Sequence, residues 1–448
     1  MKISTLMCRC TIAATMILCA FGMSAKDVTL TGATTNGANA DIKVTYALNS
    51  TEKIARVKKV TDKNGIDGKK SCVIPSSITV EGVKYKVTKI GEKAFAWCTD
   101  NPDGTTEVHI RHGFRTVVLP NTIIEIGKEA FLGCEYLSTC DIPAKVQTIG
   151  DKAFNGSGLK SVRIPGSCRS IGKSAFGGNV SSLVIEDSST PLVIGDAAFR
   201  HSDITSLVLP ARVTSMGENV FYWCIYLKAV VINANMATLP KGTFEGSQLT
   251  SVQINGNVQE IGDRAFYENN VLASVSFPPT LRSIGESAFE GSFWNGTTFN
   301  GVLALPAGLK TIGASAFKDC GITGIDIPST VTAIGAGAFV GSKLRVVRCA
   351  AVIPPDTASW GLFDLDTYLN ADLSIPVGSW EKYKTAIGWS SFDYSKYSSG
   401  IGAVEAGSDD DLPAEYYTIQ GVRVDRDGMP AGIYIERRGS VTRKVSIR

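Results

Sequence analysis

Apolar positions recur along most of the chain in one fixed order. A six-residue signature, Ile-Gly-x-x-Ala-Phe, begins at Ile90, Ile126, Ile149, Ile171, Ile194, Met216, Leu239, Ile261, Ile284, Ile312 and Ile334. Eight of the ten intervals are 22 or 23 residues; the other two, 36 and 28, mark insertions at about residues 99–112 and 292–298. Self-similarity at such a period predicts stacked units rather than a globule.

One unit is clear at 159–178. Leu159, Val162 and Ile164 are spaced as in an extended segment, which Pro165 ends because it cannot donate a further ladder bond. Cys168-x-x-Ile171-Gly172 reads as a second extended stretch, turned by its glycine. Lys173 to Phe176 reads as a single helical turn with Phe inward, and Gly177 and Gly178 return the chain. Such a unit cannot bury its own apolar face. Each buried side chain contributes about 1.5–3 kcal/mol, so units become stable only against neighbours. The pattern predicts a β-rich solenoid of 22–23-residue coils with a parallel sheet on one face and strands about 4.8 Å apart.

The flanks predict separate roles. Residues 1–25 carry Lys2 and Arg9, an apolar run to Phe21 and small residues to Ala25, the order of a secretory signal peptide. Residues 26–68 read as a small N-terminal β cap leading to a first degenerate strand at Cys72–Pro75, and 69–349 as the solenoid. Residues 350–397 read as a C-terminal cap with a helix Trp380–Ile387, N-capped by Ser379 and stopped at Gly388, with Trp389 and Phe392 closing the last coil. A linker at 398–414 precedes a small β tail at 415–448 with strands near Tyr416–Ile419, Val422–Val424, Gly432–Ile435 and Lys444–Ile447.

Composition adds exclusions. Of 448 residues 44% are apolar and 19% charged, which excludes a disordered chain. The net charge is +3, and losing Lys2 and Arg9 with the leader brings it nearer zero. Nothing electrostatic points to nucleic acid. After the leader no stretch is apolar for long enough to span a bilayer. Motifs for a nucleophile elbow, a P-loop or a zinc protease are absent. Glu107, His109 and His112 share the first insertion, read as a solvated surface loop rather than a metal site. We therefore assign no catalytic residue, metal or cofactor.

Eight cysteines follow the leader: 72, 98, 134, 140, 168, 224, 320 and 349. Each stands where the repeat places a small apolar residue, which predicts buried thiols. Cys98 and Cys134 alone fall in one slot of consecutive coils, within reach of a bridge.

Two surfaces are candidates for binding. Residues flanking the inward Val of the first strand should point outward. Their second column runs Arg163, Val184, Val208, Val231, Gln253, an apolar stripe three strands wide. Exposed strands favour β-branched residues in any case; the alternative is a contact patch. Aromatics form the second candidate: Trp97, Tyr222, Trp223 and Trp294, with Tyr226 and Phe293 nearby. They either pack over neighbouring coils or anchor a partner.

The unit L-x-x-V-x-I-P-x-x-V-x-x-I-G-x-x-A-F-x-x-C, clearest at Leu137–Phe154, Leu159–Phe176, Leu249–Phe266 and Ile322–Phe339, resembles the BspA-like leucine-rich repeat of bacterial surface proteins. The resemblance covers about residues 69–349. It implies a curved leucine-rich repeat solenoid and a secreted or cell-surface protein, in some relatives an adhesin, with no shared catalytic residue or ligand. The tail pattern Tyr-x-x-Gln-Gly … Gly-Ile-Tyr-Ile … Lys-Val-x-Ile resembles type IX secretion C-terminal sorting domains. The expectation is a non-enzymatic, exported protein mediating adhesion to a host or cell-surface protein or glycan. The alternatives are a carbohydrate-processing accessory or enzyme with its site on the insertions, and a purely structural envelope component.

Overall fold

The structure, a computed structural model, describes residues 26–31, 42–62, 71–96, 98–100, 106–108, 114–293, 301–342, 344–357, 361–394, 415–418, 423–424, 432–438 and 441–447. The leader and the linker lie outside the described residues. Each coil of the solenoid makes three runs. The first is the L-x-x-V-x-I strand, for example Ser161–Ile164, Ser206–Leu209 and Ala229–Ile232. Such strands pair in parallel and in register, Val208 beside Val231 beside Gln253. The second run is the short strand ending at the signature Ile, as at Thr148–Ile149 and Ser170–Ile171, and it also pairs in parallel coil after coil. Two faces, not one, are therefore sheet.

The third run differs from the expected helical turn. Its alternate amides serve different partners. Lys152, Phe154 and Gly156 donate to Lys173, Ala175 and Gly177 of the next coil at 2.8, 2.8 and 3.1 Å. Ala153, Asn155 and Ser157 donate three residues back within their own coil at 3.2, 3.1 and 3.0 Å. A helical turn would aim every amide along its own axis. Alternation instead needs a left-handed residue before Ala-Phe. All eleven signatures have one, from Lys93 (φ 53°) to Gly337 (φ 65°), and nine of the eleven are not glycine. The signature glycine itself serves close approach rather than turning. A Cβ on Gly172 would lie 2.4 Å from the Asp151 backbone nitrogen, and the Gly172 amide donates to the Ile149 carbonyl at 2.8 Å.

The core runs as columns through the coils. Phe95, Phe131, Phe154, Phe176, Phe199, Phe221, Phe244, Phe266, Phe289, Phe317 and Phe339 stack with centroids 4.6–5.7 Å apart and planes within 18°. Phe363 adds one more ring, 5.3 Å from Phe339, although its segment carries no signature. The stack stops there because Tyr368, Trp389 and Phe392 meet Phe363 edge-on. Aromatic pairs add roughly 0.5–1.5 kcal/mol beyond area burial.

The cysteines with described side chains are buried thiols, as the repeat predicts, but a polar column beside this stack changes the reading of three of them. In seven of the described coils the residue three after the Phe donates its side chain to the Phe carbonyl of the previous coil. Cys134 reaches Phe95 at 3.4 Å, Cys224 reaches Phe199 at 3.4 Å and Cys320 reaches Phe289 at 2.9 Å. Ser247, Ser292 and Ser342 do the same for Phe221, Phe266 and Phe317 at 3.2, 2.8 and 2.6 Å. Asn269, fully buried, donates to Phe244 and Phe266 at 3.0 and 2.9 Å and accepts from the Leu249 amide at 3.1 Å. The slot selects a small donor, not a small apolar group. The Cys98 side chain lies outside the described residues, and with it the pairing considered for Cys98 and Cys134.

The ends are built differently. At the N-terminus Asp27–Thr31, Ile42–Asn49 and Ile54–Asp62 form an antiparallel ribbon, and Ile54–Asp62 then pairs in parallel with Val83–Ile90, which leads into the second-run sheet. Ser71–Val73 pairs in parallel with Thr116–Val118. At the C-terminus a helix at Leu365–Asn370, unforeseen in the sequence, is capped by Asp364, which accepts from Thr367 N at 2.7 Å. The expected helix is only Trp380–Tyr383. Ser379 does not cap it; its hydroxyl donates to the Pro376 carbonyl at 2.6 Å. The helix stops early as the chain turns to bury Trp389, whose Nε1 donates to Pro355 O at 3.3 Å. Glu415–Thr418, Arg423–Val424, Gly432–Arg438 and Val441–Ile447 form a four-stranded antiparallel sheet.

The first-run ladder is divided into several sheets, and one such seam lies in the middle of the array. Ser182–Ile185 pairs with Ser161–Ile164 but not with Ser206–Leu209. Arg212, only 4% exposed, bridges the neighbouring coils. Its guanidinium donates to the carbonyls of Pro165 (2.9 Å), Cys168 (2.8 Å), Glu186 (2.6 Å) and Thr190 (3.2 Å). Burial lowers its pKa from the ordinary arginine value, against opposing pulls from Cys168, Asp187 and Glu186.

Two outcomes follow. Burial pushes the thiols up to about 12 at Cys72 and Cys224 and about 11 at Cys168. In a thiol titration at pH 8, Cys72, Cys140, Cys168, Cys224, Cys320 and Cys349 should stay unreactive in the native protein and react on denaturation. Asn269→Leu should cost on the order of 2–4 kcal/mol in chemical denaturation, because it strands a buried amide and carbonyl, whereas Asn269→Ser should cost less. Equal losses would remove the donor column.

Candidate functional site

The third run carries a column two residues after each Phe from Phe131 to Phe339, again at positive φ. Gly133, Gly156, Gly178, Gly246, Gly291 and Gly341 occupy it in six coils. His201 (φ 57°) and Trp223 (φ 53°) occupy it in two adjacent coils, and Glu268 and Asp319 in two others. For a side chain other than glycine this conformation costs roughly 1–2 kcal/mol. The rings lie together. His201 meets Tyr222 edge-on at 5.8 Å, and Tyr222 lies 6.2 Å from Trp223 at 37°. The indole rests on the next coil, where a Cβ on Gly246 would fall 2.5 Å from Trp223 Nε1. Trp223 remains 44% exposed and Tyr226, in the following return loop, 53%. The Arg200 guanidinium sits 5.2 Å from the Tyr222 centroid. Burial, and secondarily the Arg200 charge, lowers the His201 pKa from its ordinary value, which favours neutral imidazole.

Of the aromatics picked out in the sequence, Tyr222 and Trp223 come together here. Trp97 and Trp294 lie outside the described residues. Phe293 is buried, its ring 6.2 Å from Phe289, so it is core rather than a surface anchor. Arg200 and His201 were missed. The signal was present, since His201 breaks the glycine column, but it needed the register of the coils to be seen.

The sheet-face candidates are placed as follows. Arg163 lies beside Val184, and Val208 beside Val231 beside Gln253. Val184 and Val208 are exposed and Val231 is half-buried. The seam separates Val184 from Val208, so the stripe is two pieces rather than one. Below Val231 and Gln253 the side-chain amides form a ladder: Gln253 donates to Asn255 and Asn255 to Asn233, both at 2.9 Å, and Asn257 donates to Asn235 at 3.0 Å.

The first insertion is not wholly loop. Cys98–Asp100 pairs antiparallel with Thr106–Val108, Thr99 opposite Glu107. His109 and His112 and the Glu107 side chain lie outside the described residues. Among the described residues no three His, Cys, Asp or Glu side chains form a metal-binding group, and no helix is long and apolar enough to cross a membrane.

At one edge of the stripe Glu186 accepts from the Gly166 amide at 2.8 Å and from Arg163 Nε at 2.6 Å. These bonds, the backbone one foremost, hold its carboxyl below the usual range against the opposing effect of burial. A depressed carboxylate stabilises the fold above its unfolded pKa and loses that contribution on acidification. Glu186→Gln should therefore lower stability at pH 7 by less than about 1 kcal/mol. The gap from the unsubstituted protein should close as pH falls through the carboxylate range, read by denaturation at each pH.

No curated protein matches the chain. Three solved structures are similar at low identity. The pneumococcal vaccine antigen PcpA is 20% identical over 79% of this chain and 96% of that one, with a TM-score of 0.43. A leucine-rich repeat protein from Bacteroides ovatus is 21% identical over 74% and 98%, with a TM-score of 0.34. A leucine rich cell surface protein from Faecalibacterium prausnitzii is 20% identical over 78% and 96%, with a TM-score of 0.36. The model of the BspA type leucine rich repeat region matches at residues 108–191, 192–302 and 292–353 in six copies, more than half of the chain. With that match and the stacked coils, this chain belongs to the BspA-type leucine-rich repeat family.

Proposed function

We propose that this chain is a non-enzymatic, exported binding protein, carried at the cell surface or secreted, that engages a protein or glycan partner through its solenoid. The observation that carries the reading is the aromatic platform of His201, Tyr222 and Trp223. Two bulky rings hold positive φ on adjacent coils, where six sister coils hold glycine and two hold the acidic Glu268 and Asp319. Backbone strain clusters at functional sites, and here it coincides with exposed aromatic rings on adjacent coils. Partly exposed aromatic faces are also the side chains that most often anchor partners.

Other features support the reading. Proteins built on BspA-type repeats are cell-surface or secreted. The leader at 1–25 and the tail resembling a sorting domain suit export and display. The outward pairs Arg163–Val184 and Val208–Val231–Gln253 offer a second contact surface on the sheet face.

The glycine column makes a clean test. His201→Gly and Trp223→Gly, alone and together, relieve backbone strain while removing the rings. The variants should fold and melt within a few degrees of the unsubstituted chain, and should lose binding to whatever partner a glycan and host-protein array reveals. Undiminished binding by the folded double variant would remove the platform from the function.

A further inference from the structure

This inference rests on the platform being a binding site, and concerns what it binds. The charges around the rings are unevenly matched. Lys160 faces Asp203 at 3.4 Å, and Arg264 faces Glu245 at 2.6 Å while lying 3.7 Å from the Tyr267 centroid. Arg200 differs: among the described residues it makes no ion pair, and it is exposed. Its guanidinium is held over Tyr222, whose ring centroid lies 6.2 Å from that of the partly exposed Trp223 indole. An exposed indole, with an unspent guanidinium on the adjoining Tyr222 ring, complements a molecule with one apolar face and one carboxylate. Guanidinium matches carboxylate geometry with paired donors. The His201 imidazole, edge-on to Tyr222, adds a neutral donor and acceptor suited to hydroxyls.

We propose that the platform binds a carboxylated sugar, the C–H face of its pyranose ring on Trp223 and its carboxylate on Arg200, which Tyr222 holds in place. Sialic acid and uronic acid share this chemistry, and the experiment separates them.

The full-length chain without its leader would be titrated calorimetrically with sialyllactose, with an oligoglucuronate, and with the carboxyl-reduced form of each. A fifth arm uses a glutamate-rich peptide. One acidic sugar should saturate the protein at least tenfold more tightly than its reduced form, and the arm that responds names the source. Arg200→Gln should erase that tenfold preference, and Trp223→Gly should abolish binding of acidic and reduced sugars alike. Both substitutions are at surface positions, and a melting curve confirms folding. The proposal is overturned if neither acidic sugar saturates, if the reduced sugar binds equally, if Arg200→Gln leaves the preference intact, or if the acidic peptide binds as tightly. Trp223-dependent capture of a host protein without response to either sugar would leave the platform a binding site and end the sugar assignment alone.

Discussion

Backbone hydrogen bonding from each coil to the next governs this molecule. In the first two runs amides donate towards the preceding coil, as Gly172 does to Ile149; in the third they donate towards the following one, as Phe154 does to Ala175. Three sides bonded in this way fix the coil spacing, and a fixed spacing turns every sequence position into a column. The stacked phenylalanines, the donors to their carbonyls and the glycines at the close approach are all consequences. Each column satisfies or fills the same place against the same neighbour, so stability accumulates between adjacent coils.

That constraint explains what the sequence revealed. The Ile and Phe columns were legible because burial repeats them with little variation, and the period alone gave the solenoid. The third run was misread because Lys173-Ser174-Ala175-Phe176 has the composition of a helical turn. Its true conformation depends on amides bonding to Asp196 and Ala198, more than twenty residues ahead. The cysteines were misjudged in part for a related reason. A thiol reads as apolar by itself, and only beside Ser247, Asn269 and Ser292 in one column does the slot show itself as a donor. Helix Trp380–Tyr383 ran short because the burial of Trp389 outweighed local propensity.

The candidate site was half legible. Tyr222 and Trp223 stood out as aromatics, while Arg200 and His201 gained meaning only from the rings and carbonyls facing them. The stripe at Val184, Val208 and Val231 is continuous in sequence order but not in the ladder. Additional residues between Glu186 and Leu192 displace one coil, and the ladder divides there.

Arg212 changes the mechanical character of the array at that division. Elsewhere a coil leans on the one before and the one after, so a pulled chain can shed coils singly, like pages from a pad. The guanidinium ties carbonyls on two successive coils to a third, so these must let go together. A stretched molecule should therefore resist longest at this knot, which lies next to the aromatic rings and keeps that surface assembled while either end frays.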